Sequence, residues 1–218
     1  MKCGWLQFFG AGLLCGLAMM PVRAGAQVDR ALLQRVDDHY NHLHTLRARY
    51  SEHYKGLGID RSETGTLTLK KPGLMRWSYD SPAGKVFVLD GKFAWFYTPG
   101  DAQVERMAAK QLDDLRSPLR FLLGHTQLAK ELEQISVVAA GGDFKIAGVP
   151  KGMEQRVRRL SLVVTAAGVI QAMKIEEVDG AITDFSFTKI EEDVALPGSD
   201  FRFVVPVGVA VVNAQSPI

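Results

Sequence analysis

Hydrophobic positions first recur along the chain with the spacing of a helix. Between residues 28 and 46 they fall three or four positions apart, which places them on one helical face. The stripe consists of Leu32, Leu33, Val36, Tyr40, Leu43 and Leu46. The pattern therefore predicts an amphipathic helix over residues 28–46.

From Glu63 onward the period changes to two, which is typical of half-buried β-strands. Leu67 and Leu69 share one face of the first such strand, and Lys71 ends that face. Turn signals then recur at short intervals, at Pro72-Gly73, Ser81-Pro82, Asp90-Gly91 and Pro99-Gly100. Residues 63–107 are therefore predicted to form an antiparallel meander.

The second half of the chain begins with two short predicted helices. Ser117-Pro118 is a helix start and Gly124 a helix stop, and a second helix is predicted over residues 127–132. Further alternating segments follow, and residues 201–205 are predicted to be the last strand. About ten strands in one domain must curl, which leaves the helices to cover the concave face. The fold class is thus α+β, mainly β.

The N-terminal segment is typical of a secretory signal peptide. Lys2 precedes an apolar run from Trp5 to Met20, and Ala24-Gly25-Ala26 is a small-residue cleavage site. We expect residues 1–26 to be removed and residues 27–218 to form a single domain. Both cysteines lie in the removed segment, and Leu14 before Cys15 is too large for a lipidation signal, so neither a disulfide nor a lipid anchor is expected.

Charge and motifs exclude several classes of function. Without Lys2 and Arg23, the remaining bases equal the 24 Asp and Glu residues, and a neutral chain is a poor binder of nucleic acid. Nucleophile-elbow, phosphate-loop and zinc-protease motifs are missing from the sequence. The histidines near residues 39–44 do not share one helical face. Paired acids such as Asp37-Asp38 are neighbours that point apart, and we expect them to be surface charge. We therefore expect no enzyme, no metal and no cofactor.

A set of bulky apolar side chains has two possible interpretations. Pattern alone favours a plain hydrophobic core. Apolar residues on both faces of the strands near residues 86–97, with few helices to cover them, are also compatible with a cavity. The set is Met75, Trp77, Phe87, Trp95, Phe121, Phe185 and Phe187.

Four segments together resemble the periplasmic lipoprotein carrier family, LolA. They are the strand pair from Gly65 to Tyr79, the run from Val88 to Pro99, the Ser117–Gly124 helix, and the closing Phe201-x-Phe203-x-x-Pro206-x-Gly208-Val209. They span nearly all of residues 27–218 in the order found in the family.

The resemblance implies an incomplete antiparallel barrel, capped by helices, around an apolar cavity for lipoprotein acyl chains. It implies a periplasmic carrier, expected to be a monomer, that receives cargo from an ATP-driven inner-membrane exporter and delivers it to an outer-membrane acceptor. The predicted cavity residues are Met75, Trp77, Phe87, Trp95, Leu119, Phe121 and Leu122. Family members often carry an arginine where this chain has Lys71, and the resemblance implies that the residue at this position holds the helical lid closed by hydrogen bonds. Lysine keeps the positive charge of arginine but lacks its planar guanidinium group.

One alternative of a different class stays open on the sequence. The same fold could bind another lipid, or could sense mislocalised lipoproteins as part of a stress response. A second carrier paralogue in the same genome, and mass spectrometry of what co-purifies from the periplasm, would discriminate between these functions.

We expect the exported protein to begin at or near Gln27 and to carry no lipid, because the cleavage site precedes that residue. Intact-mass measurement on periplasmic material tests this expectation. A mass that includes residues before Ala24, or a diacylglyceryl adduct, would contradict it.

Overall fold

A computed structural model describes residues 24–114 and 127–214. Within these residues twelve strands form one sheet, and all neighbouring strands are antiparallel except β12 and β6. The strands, in chain order, are β1 Thr45–Gly56, β2 Ile59–Lys70, β3 Leu74–Ser81, β4 Val86–Asp90, β5 Phe93–Tyr97, β6 Gln103–Ala108, β7 Leu132–Ala140, β8 Asp143–Pro150, β9 Val157–Val164, β10 Ile170–Glu177, β11 Ile182–Glu192 and β12 Ala210–Asn213. The helices are α1 Ala24–His42, α2 Ala109–Asp114 and α3 Leu128–Glu131, with a 3₁₀ turn at Gly198–Phe201.

The order across the sheet is β12-β6-β5-β4-β3-β2-β1-β11-β10-β9-β8-β7. β12 and β7 are the two edges and do not pair with each other, so the sheet is open. The predicted mainly-β class and incomplete barrel are confirmed. No helix in the described ranges is long and apolar enough to cross a membrane.

The predicted helix over residues 28–46 is wrong at its C-terminal end. α1 stops at His42 and β1 begins at Thr45. Leu46, Ala48 and Tyr50 alternate and are buried, and β1 pairs with β2 on one side and β11 on the other. β1 is hydrogen-bonded to a neighbouring strand on both sides. This pairing determines its conformation, although Leu43 and Leu46 also have helical spacing.

The predicted last strand is also wrong. Residues 198–201 form the 3₁₀ turn, and the chain runs on without a ladder until β12 pairs with β6. The 3₁₀ turn contacts β3 and β4. This C-terminal segment therefore covers one face of the β3–β5 meander.

The opposite face, here called the inner face, carries most of the core. α1 packs on it with Leu32, Val36 and Tyr40, which are almost fully buried in one cluster with the inner residues of the strands. Leu67 and Leu69 of β2 belong to the same cluster. One apolar stripe of α1 and one apolar face of the curled sheet thus bury each other.

The β9–β10 turn comes close to the backbone of α1. A Cβ atom at Gly168 would lie 2.8 Å from the carbonyl carbon and oxygen of Arg35 and 2.9 Å from the nitrogen of Val36. The φ of Gly168 is also +91°, which side chains rarely adopt. Only glycine allows this turn to support the helix.

We expect Gly168→Ala to lower the free energy of unfolding by about 2–3 kcal/mol, because it combines an unfavourable φ with a backbone clash. Gly180→Ala is the matched control, because Gly180 has a φ of +93° and open space around its Cβ position. Urea unfolding of both variants measures the difference. Equal losses at the two positions would show that the turn does not press on α1.

Candidate functional site

Tyr40 is the residue through which α1 is attached to both sides of the sheet. Its carbonyl oxygen accepts a hydrogen bond from the Lys71 ammonium, just after β2. Its hydroxyl accepts a hydrogen bond of 3.1 Å from the Ile170 N–H, at the start of β10. Burial raises the pKa of Tyr40 well above its usual value, so the side chain stays neutral. The C-terminal turn of α1 is therefore held at two points that lie across β1 and β11 from each other.

Lys71 lies one residue beyond the strand in which the sequence placed it, because β2 ends at Lys70. Its backbone N–H donates to the His44 carbonyl at 2.9 Å, and its side-chain ammonium reaches the last turn of α1. Desolvation lowers the pKa of Lys71, and nearby Asp193 opposes that shift. A partly buried cation here is compensated by a helix C-terminus, where carbonyl groups carry partial negative charge.

Asp37 is a second polar residue of α1 that makes a tertiary contact. Both of its carboxylate oxygens accept from the Leu128 N–H, at 3.0 and 3.2 Å, at the first residue of α3. The sequence interpretation of Asp37-Asp38 as surface charge is wrong for Asp37, which is buried. Only the tertiary packing of α1 on α3 reveals this contact.

The centre of the inner face is a cluster of aromatic rings around Trp77. Tyr50 packs edge-on against Trp77 with centroids 4.6 Å apart, and Phe185 and Phe187 lie 5.7 and 6.4 Å from it. Met75 accepts a contact from the Trp77 indole N–H through its sulfur at 3.0 Å. Four of these five residues belong to the apolar set identified from the sequence. Tyr50 does not, because β1 was not predicted from the sequence.

Phe87 extends this surface toward solvent. It is the cross-strand partner of Trp77 on one side and of Phe96 on the other, and the two phenylalanine rings are 4.8 Å apart. Phe87 is only partly buried and Phe96 is exposed. The structure therefore places Met75, Trp77 and Phe87 on one continuous apolar face.

Trp95 does not belong to that face, so its grouping with the other cavity residues is wrong. It pairs with Val88, whose side chain lies opposite to that of Phe87. Its ring stacks on Phe203 of the C-terminal segment at 5.4 Å, and its indole N–H donates to Asp90 at 2.8 Å. Trp95 thus anchors the covering segment on the outer face.

Three predicted cavity residues, Leu119, Phe121 and Leu122, lie outside the described residues, as does the predicted Ser117–Gly124 helix. The predicted signal segment also lies outside them, up to residue 23.

Sequence reasoning missed a polar cluster at the end of the inner face away from Tyr40. Glu52 of β1 and Glu63 of β2 are direct cross-strand partners, and both carboxylates are largely buried. Lys85 binds both oxygens of Glu63, at 2.7 and 2.8 Å, and lies 4.3 Å from the centre of the Tyr79 ring. Two such carboxylates could be found from sequence only once β1 and its register are known.

The family model and the most similar named relatives indicate the same family. The family model described as "Outer membrane lipoprotein carrier protein LolA" matches residues 42–204. A protein of Photorhabdus laumondii named outer-membrane lipoprotein carrier protein is 33% identical over 156 residues, covering 72% of this chain and 73% of that protein. A protein of the same name from Serratia proteamaculans is 30% identical over 200 residues, covering 91% and 93%.

Among solved structures, a DUF1329 family protein from Desulfovibrio piger superposes with a TM-score of 0.51 at 15% identity, covering 81% of this chain and 96% of that protein. This likeness concerns the fold alone. The family match and the relatives, by contrast, extend over most of the sequence, including the strands that carry the inner face and Lys71. The chain therefore belongs to the LolA family of outer-membrane lipoprotein carrier proteins.

Proposed function

We propose that this protein carries lipoproteins across the periplasm by covering their acyl chains with its inner face. The observation that carries the proposal is the continuous aromatic surface from Phe185 and Phe187 through Trp77 to Phe87 and Phe96. Relatives that share its sequence over most of their length are named outer-membrane lipoprotein carrier proteins. In this proposal residues 27–218 form the carrier domain after export.

The size of the task explains why a covered apolar surface is needed. An acyl chain with roughly 15 methylenes gains about 12 kcal/mol in a membrane, at about 0.8 kcal/mol for each methylene. A lipoprotein with its acyl chains free in water is therefore excluded as an intermediate between the two membranes. Aromatic rings and methionine bury this surface without directional bonds, so the cargo is held and can still be released.

The proposed partners follow the same logic. An ATP-driven exporter in the inner membrane supplies the free energy of extraction, and an acceptor on the outer membrane takes the cargo from the carrier. The carrier itself has no catalytic step in this scheme. Its contribution is a protected apolar surface that opens and closes.

Lys71 is proposed as the latch of that movement. Its bond to the Tyr40 carbonyl, together with the Ile170 bond to the Tyr40 hydroxyl, holds α1 on the inner face. Chains that enter beneath α1 must displace it, so these bonds favour expulsion of the cargo on delivery. Residues Leu119, Phe121 and Leu122 are proposed as the cargo contacts of the helical side.

Site-specific photo-crosslinkers are expected to trap lipoprotein from Phe87 and from Phe121, and not from Trp95. Phe87 and Trp95 form a matched pair, because both are partly buried aromatic residues on neighbouring strands with opposite orientation. Crosslinked species are identified by immunoblotting of periplasmic fractions. Labelling from Trp95 as strong as that from Phe87 would exclude the inner face as the binding surface.

We expect Lys71→Leu to accept cargo normally and to release it several-fold more slowly to acceptor membranes. The reason is the loss of one charge-assisted bond, worth about 1.5–3 kcal/mol, that favours the closed position of α1. Lys71→Arg should keep normal transfer. The assay compares loading with onward transfer of radiolabelled lipoprotein.

Lys70→Leu is the matched control for the latch. Lys70 also donates to a backbone carbonyl, that of Leu196 at 2.7 Å, but Leu196 lies between β11 and the 3₁₀ turn and not in α1. Its loss is expected to leave loading and transfer unchanged. Wild-type rates for both steps in Lys71→Leu would refute the latch.

A further inference from the structure

Two histidines at the end of α1 face two adjacent carboxylates at the end of β11. Nε2 of His39 lies 3.0 Å from Oε1 of Glu192, the last residue of the strand. Nδ1 of His44 lies 3.4 Å from Oδ1 of Asp193, the residue that follows it. The last turn of the covering helix is therefore placed against the end of a strand that carries two acids.

His39 is the enclosed member of the two histidines. Its side chain is 17% exposed, against 86% for His44. Its ring packs edge-on against the Tyr40 ring, with centroids 4.9 Å apart. The Nε2 atom is buried and makes no hydrogen bond of normal geometry within the described residues. A proton on Nε2 makes the contact with Glu192 attractive, and the imidazolium adds a full charge to it.

The charges at this helix end leave room for a second cation. The carbonyl groups at the C-terminus of α1 carry partial negative charge, and Glu192 and Asp193 add two carboxylates. The backbone N–H of His44 donates to Asp193 and holds the pKa of that carboxyl below its usual value, so Asp193 stays ionised. Lys71 brings one positive charge to the last turn. Protonated His39 would bring another.

Other charged groups near this helix end are exposed or lie on another side of it. Arg35 is one turn earlier on α1 and is exposed, and Nδ1 of His42 contacts a carbonyl of its own helix at 2.8 Å. Lys130 and Glu131 belong to α3, which meets α1 at Asp37, on the opposite side of the helix. Glu192 is thus the charged group that faces the enclosed nitrogen at close range.

Glu192 and Lys71 hold the helix end from opposite sides of β1. Leu46 of β1 pairs with Glu192 on one side and with Leu69 of β2 on the other, and Lys71 follows β2. Glu191, the neighbour of Glu192, is exposed and pairs with Arg47 instead. The end of α1 can therefore be attached from β11 as well as from the β2–β3 turn.

We propose that His39 and Glu192 form a second latch of α1, which closes when His39 is protonated. This inference rests on the proposed carrier function and adds a regulation of the same movement. Acyl chains that enter beneath α1 must displace it, so a lower pH opposes loading and favours release. His39 is a positioning residue in this scheme, because it acts through the position of α1 and not through contact with the cargo.

The test measures binding of an uncharged fluorescent naphthylamine probe to the full mature protein, because such a probe does not titrate in this range. From about pH 8 to about pH 5.5, where histidine changes its charge, we expect the affinity of the wild-type protein to fall about three- to tenfold. His39→Gln cannot take up the proton and should lose most of this fall. Glu192→Gln removes the opposite charge and should do the same.

Matched variants separate this latch from its neighbours. His42→Gln changes an exposed histidine of the same helix turn, and Glu191→Gln changes an exposed carboxylate of the same strand, so both should keep the wild-type pH profile. Lys71→Leu should raise the affinity at both pH values and keep the dependence on pH. A profile that is flattened by His44→Gln and not by His39→Gln would overturn the assignment to His39.

Hydrogen exchange at the Ile170 amide reports closure of α1 directly. This N–H donates to the Tyr40 hydroxyl, so its protection is lost when the helix end leaves the sheet. Its protection factor, corrected for the intrinsic exchange rate at each pH, should rise about threefold or more toward acid in the wild-type protein and stay constant in His39→Gln. At about pH 8 the two proteins should show equal protection and equal urea midpoints, because His39 is then uncharged.

Two results distinguish failure of this inference from failure of the carrier function. The same pH profile in wild type and in His39→Gln, for the probe and for the Ile170 amide, overturns the second latch and leaves the carrier function intact. A wild-type protein that binds neither the probe nor a diacylated lipopeptide at any pH rejects the carrier function itself.

Discussion

The arrangement depends on holding a single helix over an open, apolar sheet by very few directional contacts. Apolar packing of α1 alone is non-directional and would let the helix slide. Tyr40 removes that freedom, because Lys71 of the β2–β3 turn donates to its backbone carbonyl and the Ile170 N–H of β10 donates to its hydroxyl. Asp37 adds a third point through α3. A cover attached by a few separable bonds can open without unfolding the sheet beneath it.

Local turn chemistry made most of the sheet predictable, and competition between periods explains the errors. Asp90-Gly91 permits only a tight reversal, and β4 and β5 meet there as expected. At residues 43–50 helical and strand periods both fit the apolar positions, and the choice is made by β2 and β11, which are distant in sequence. The segment after Phe201 alternates like a strand, yet nothing in its own residues indicates that it lacks a ladder partner.

The cavity residues show where register carries more information than hydrophobicity. Both faces of β5 are apolar, so alternation alone cannot assign Trp95 to one of them. A two-residue loop at Gly91-Lys92, however, pairs Asp90 with Phe93 and hence Val88 with Trp95, which is the pairing observed. The turn signal named in the sequence, Asp90-Gly91, lies one residue earlier, but counting back from it pairs Trp95 with Val86 and would also have separated Trp95 from Phe87. The polar cluster was out of reach, because its two carboxylates meet only through the unpredicted β1.

The distribution of polarity along the inner face suggests how one surface can be both permissive and selective. The middle is aromatic and thioether-rich, which accommodates chains of differing length because dispersion contacts are adaptable. Polar contacts lie at its two ends, with the Lys71–Tyr40 contact at one and the Glu52–Glu63 pair at the other. A ligand that fits poorly loses little binding free energy in the aromatic middle. It loses more at either end, where a charged group without a partner stays largely buried. Under the proposed carrier function, release is set by the Lys71–Tyr40 contact at one end of the surface, while its aromatic centre supplies apolar contact area for acyl chains.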